Sequence, residues 1–128
     1  MLTVYKVKRL VNLTTRDIAV MGNDESNWTF KGGKPLATIV KEEDPARLAV
    51  NVKINYGIQI PGSDNVIPVG VILPDKVYNL PSPEEGTYFI VPRIVAEELK
   101  SIRKDLLVIL GKLWENKTTI GVRSLVRI

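Results

Sequence analysis

LAVNVKINYGIQI, residues Leu48–Ile60, is the stretch on which the fold turns. Leu48, Val50, Val52, Ile54, Ile58 and Ile60 alternate with Ala49, Asn51, Lys53, Asn55, Gly57 and Gln59. Side chains of a strand project to opposite faces in turn, so this period of two predicts a long strand with one buried face. Pro61, Gly62, Ser63, Asp64 and Asn65 follow with turn-forming residues, and VIPVGVI (66–72) supplies a second apolar run, which together predict a hairpin. Pro68 has no amide to donate, so the second strand is expected at a sheet edge or beside a bulge.

The end of the chain repeats the pattern. In TTIGVRSLVRI (118–128), Ile120, Val122, Ser124, Val126 and Ile128 share one face, and Gly121, Arg123, Leu125 and Arg127 the other. A terminal strand with an arginine-bearing face is expected. PRIVAEELKSIRK (92–104) is the one good helix pattern. Proline suits a first turn, Glu97 and Glu98 precede Arg103 and Lys104, and Val95, Leu99 and Ile102 fall on one face. VYKVKRLV, DIAVMG, WTFKGG and PLATIVK read as short strands between Gly, Asn and Asp turns. The expected fold is a single β-rich α+β domain over residues 1–128, with a mainly antiparallel or mixed sheet and one main helix at about 92–104.

The 128 residues include no cysteine and no histidine. Disulfides, thiolate metal sites and cysteine nucleophiles are thereby excluded, as are serine–histidine catalysis and imidazole metal sites. Any chemistry would run on carboxylates, Lys, Tyr or a carboxylate-bound metal, so a non-enzymatic role is expected, with no cofactor. Lys6, Lys8 and Arg9 interrupt the apolar residues of the N-terminus, which does not read as a signal peptide. No membrane-spanning run is present, and an intracellular protein is expected.

The formal charge of +4 is unevenly placed: +3 over residues 1–60, −4 over 61–98 and +5 over 99–128. If the first and last strands pair, Lys6, Lys8, Arg9, Arg123 and Arg127 form one basic face, a footprint for nucleic acid or another anion. The simpler reading is a solvated strand face guarded against edge-to-edge association, because aromatic residues are not interleaved with these charges.

Two polar groups are candidate binding sites. Asn12, Thr14, Thr15, Arg16 and Asp17 have the composition of a self-capped turn, in which Arg16 would hold an anion if the group binds anything. Arg93, Arg103, Asp105, Arg123 and Ser124 form the second, with structural ion pairs the commoner outcome. Glu97 and Glu98 point about 100° apart on a helix and do not converge. Glu42, Glu43 and Asp44 lack the spacing of a calcium loop and read as a surface turn, and Gly32–Gly33 reads as a hairpin turn.

The order of VNLTTRDIAV, NLPSPEEGTYFIVPRIVAEEL, RKDLLV and IGVRSLVRI resembles a family of short uncharacterised proteins of bacteriophages, archaeal viruses and other mobile elements. The shared marks are NLT-x-x-D near the N-terminus and G-x-R-S-L near the end. Thr15 and Arg16 stand where that family has proline and histidine, and Val122 where it has cysteine. The resemblance implies a small viral or mobile-element accessory protein and draws attention to Asn12, Thr14, Asp17, Arg93, Asp105, Arg123 and Ser124.

Three functions are therefore expected in order: a binding module for a host or viral protein, forming a homo-oligomer through strand edges; a nucleic-acid binder using the terminal strands; and a small-anion receptor or enzyme in which Arg16, Asp17, Asp105 and Arg123 converge.

Overall fold

The computed structural model describes residues 3–21, 35–115 and 118–128, without the side chains of 113–120. Among these described residues, eight strands and one helix follow in the order β1 (Arg9–Asn12), β2 (Ile18–Val20), β3 (Ala37–Ile39), β4 (Arg47–Gln59), β5 (Val66–Tyr78), β6 (Thr87–Ile90), α1 (Arg93–Leu99), β7 (Leu106–Glu115) and β8 (Thr118–Val126). The fold is β-rich α+β. Expected strands in 4–11, 17–22, 35–41, 48–60, 66–72 and 118–128 all contain one, whereas WTFKGG and Gly32–Gly33 lie outside the described residues.

Six strands form a mixed sheet in the order β1-β6-β7-β8-β2-β3. β6 runs parallel to both β1 and β7, β7 is antiparallel to β8, β8 is parallel to β2, and β2 is antiparallel to β3. The sheet rolls until its two edges almost meet: Asn12 of β1 bridges Lys41 just after β3, and the Glu42 amide donates to the Asn12 carbonyl at 2.8 Å. A nearly closed barrel results. Rolling the sheet in this way occupies edges that would otherwise be open to pairing.

Apolar alternation in the central strands feeds two cores. Ile18, Ile90 and Val122, with Leu10, Val20, Ile39, Leu107, Ile109 and Leu125, draw on all six barrel strands. Phe89, Val91, Leu106 and Val108 join Val11, Leu13 and Ala46 beneath the buried Val95 and Ala96 of α1. The β8 alternation is not kept. Leu125, expected on the arginine-bearing face, packs with Val122, while Val126 joins the other core. Opposite this stretch Gly111 of β7 takes a φ of 69°, which suits a residue without Cβ.

The helix is shorter than 92–104. It ends at Leu99, and the amides of Ile102 and Arg103 both donate to the Leu99 carbonyl in a closing turn. The chain must become extended by Asp105, whose carbonyl accepts from the Phe89 amide at the head of the β6–β7 pairing. Ile102, expected on the buried face, is 72 % exposed, and neither Arg103 nor Lys104 lies in the last helical turn.

β4 and β5 form a separate two-stranded antiparallel ribbon. The hairpin is as expected and Pro68 stands on an edge strand, but the face expected to be buried is not. Only Leu48, Ala49, Val77 and Tyr78 near its base and Val69 are partly covered. The register slips at Asn55, where Ile54 pairs with Gly70 and Tyr56 with Val69. One unpaired residue turns the following side chains to the opposite face. Val50, Val52 and Ile54 therefore share one face, and Tyr56 and Ile58 the other.

Candidate functional site

Asn12 is completely buried at the barrel seam. Its Nδ2 donates to the carbonyls of Arg16 at 2.8 Å and Ile39 at 2.9 Å. Its Oδ1 accepts from the Thr14 amide at 2.9 Å and the Thr14 hydroxyl at 2.6 Å. Two donors and two acceptor positions are a full complement for an asparagine amide. Asp17 Oδ1 accepts from the Lys41 amide at 2.9 Å, and the Leu13 carbonyl accepts from the Ala46 amide at 2.8 Å. The Asn12–Asp17 turn thus stitches β1 to the segment after β3. Arg16 contributes its carbonyl to this knot while its residue surface is exposed.

Arg103 grips Asp105 through two parallel bonds, Nε to Oδ1 and Nη2 to Oδ2, both 2.8 Å, and Nη2 also reaches the Pro81 carbonyl. The two side chains are 11 % and 16 % exposed. The hydrogen bond from Arg103 holds the Asp105 carboxyl below the ordinary carboxylate range, against the opposing effect of burial. Arg93 pairs with Glu97 one helical turn on, at 2.9 Å and in solvent.

Arg123 lies with its stem against Gly111, and its Nη1 is buried without a hydrogen-bond partner among the described residues. Ser124 stands opposite Leu110. Asp105 precedes β7 and Arg123 faces its sixth residue, so strand rise separates them by about 20 Å. They do not share a substrate-sized space. Nor do the terminal strands pair: β6 and β7 stand between β1 and β8, and Lys8 packs on Gly86. The single basic face of Lys6, Lys8, Arg9, Arg123 and Arg127 required that pairing, and the partly buried Arg123 is not part of a solvated face.

Two open clefts flank the N-terminal segment. One, of about 410 Å³, is lined by Tyr5, Lys6, Tyr88, Ile102, Arg103 and Asp105 among others. The second, of about 570 Å³, has Val11, Leu13, Leu80 and Phe89 at its base and Arg9 and Glu42 among its polar residues. Arg16, Asp17, Arg93, Arg123 and Ser124 line neither. Among the described residues no group of three or more carboxylates is placed to hold a metal ion, and no helix is long and apolar enough to cross a membrane.

The feature that composition conceals is the β4–β5 ribbon. Val50, Val52, Ile54, Tyr56, Ile58 and Ile60 on one side of the turn, and Val66, Ile67, Val71, Ile72 and Leu73 on the other, are all exposed, between 41 % and 64 %. Alternation finds such residues but reads them as core, because it carries no information on whether a second layer exists. Comparison of the chain with protein-family models, curated proteins and solved structures gives no match.

Proposed function

We propose that the chain is a non-enzymatic interaction module, a small accessory protein of viral or mobile-element type, whose docking element is the β4–β5 arm. One observation carries this reading: eleven large apolar side chains stand in solvent on a single projecting ribbon. Exposed apolar surface concentrated on one element in this way, over both faces of the ribbon, marks an interaction surface. The polar candidates support it from the other side. Asn12, Thr14 and Asp17 are engaged in closing the barrel, and Arg103 and Asp105 in clamping the entry to β7.

The test uses the absence of native cysteine. Ile72→Cys gives the full chain one thiol, to which an environment-sensitive fluorophore is attached. In dilute solution the label is expected to report water and to be reached freely by iodide. A dry, protected label on a chain of monomeric mass at every dilution would show the arm folded onto its own barrel and reject the reading.

A further inference from the structure

We infer that the partner of the arm is a second copy of this chain, joined through the outer edge of β4 across a two-fold axis. The inference rests on the arm being a docking element, and it adds which edge is used and by whom.

The two edges of the ribbon differ. On β5, residues Val66 to Pro74 pair without interruption, so Pro68 and Pro74 lie on the same alternation. Backbone donors along a strand point alternately to its two neighbours, and a proline within a ladder places its nitrogen away from the paired strand. The outer edge of β5 therefore lacks donors at both positions, and Asp75 and Lys76 add charge at its end. Such features block strand addition. β4 has no proline, and between Leu48 and Ile60 it carries one charge, Lys53. Val50 and Val52 stand opposite Pro74 and Ile72, so their amides and carbonyls face outward on the open edge.

Area and stability point to the occupant. Eleven side chains near half exposure leave on the order of 800 Å² of apolar surface over the two faces of the ribbon, and a second arm beside β4 covers the flanks of Val50, Val52 and Ile54 on one face and of Tyr56 and Ile58 on the other. A lone two-stranded hairpin is marginal in water, so the part of the arm beyond its rooted base at Leu48 and Val77 gains stability from cover. Another copy is the one partner present in fixed proportion to it. An antiparallel edge is also self-complementary: a two-fold axis sets the same donors and acceptors opposite each other, giving a continuous sheet β5-β4-β4-β5.

The experiment is sedimentation of the full chain over a concentration series, with two proline variants. The parent is expected to dimerise with Kd of about 1 µM or tighter. Val52→Pro removes an outward donor from β4 and is expected to weaken association at least tenfold. Ile72→Pro does the same to the outer edge of β5 and is expected to leave the dimer intact. A cysteine at Asn51 or Lys53 should cross-link two copies on oxidation, and one at Val71 should not. If Val52→Pro unfolds the arm, this cysteine pair decides alone.

A parent that stays monomeric while its Ile72→Cys label remains wet overturns the second-copy assignment and leaves the docking reading standing. A dimer that survives Val52→Pro but is lost in Ile72→Pro, or cross-linking at Val71 alone, overturns the choice of edge. A protected label on a monomer removes both readings together.

Discussion

Asn12 has no exposed surface and no idle polar atom. Asn12→Ala removes four bonds at once and leaves the Ile39 carbonyl short of a donor and the Thr14 amide short of an acceptor, while the Arg16 carbonyl keeps the Thr14 hydroxyl at 3.0 Å. Each buried group left unsatisfied costs about 1–3 kcal/mol, so a loss of about 3 kcal/mol or more is expected in urea denaturation. Asp105 makes a prediction in pH. Its carboxyl is held down in the folded chain, so its contribution is present above the unfolded carboxylate value of about 4 and is lost as pH falls through the lower folded value. Asp105→Asn should cost about 2 kcal/mol at neutral pH, because Arg103 is left nearly buried without its partner, and should flatten the acid limb of the stability curve. Residue types alone made a self-capped turn legible at 12–17. That its bonds run to Ile39 and Lys41, more than twenty residues away, was not, because side-chain chemistry names a donor but not the carbonyl it will meet.

At the scale of elements, α1 shows where periodicity overreaches. Val95, Leu99 and Ile102 share helical spacing, but the chain must straighten to begin β7, and Ile102 falls outside the helix. Val95→Ala should cost about 2 kcal/mol in thermal or urea unfolding, whereas Ile102→Ala should stay within about 0.5 kcal/mol. The arm shows a second failure of the same kind. A one-residue bulge is silent in an alternating pattern, so LAVNVKINYGIQI keeps its period in sequence while changing face in space. Gly70 fits this reversal: a Cβ there would lie 2.8 Å from a Val52 methyl and 2.9 Å from the Lys53 carbonyl, so the bare position admits Val52 and Ile54.

For the whole molecule, the class and most strands were legible because local alternation and turns encode them. The sheet order was not. β6 and β7 sit in short apolar runs, and parallel pairing of distant segments leaves no local signature. Barrel integrity depends on close approach of β8 to β2, where a Cβ on Gly121 would come within 2.7 Å of the Ala19 carbonyl. Gly121→Ala is expected to cost about 2 kcal/mol. Hydrogen exchange should quicken at Met21, whose amide donates to Val122 across this junction.

The arm departs from the barrel beside Ala46 and returns at Asn79, where Asn79 Nδ2 donates to the Pro45 carbonyl at 3.1 Å. Its two roots touch, and Asn79 takes the φ of 62° that an asparagine tolerates better than most residues. The ribbon is thus an insert whose length is independent of barrel closure. Such a layout lets a lineage lengthen, shorten or rewrite the arm, and so change which surfaces recognise one another, while the Asn12 knot beneath it stays the same.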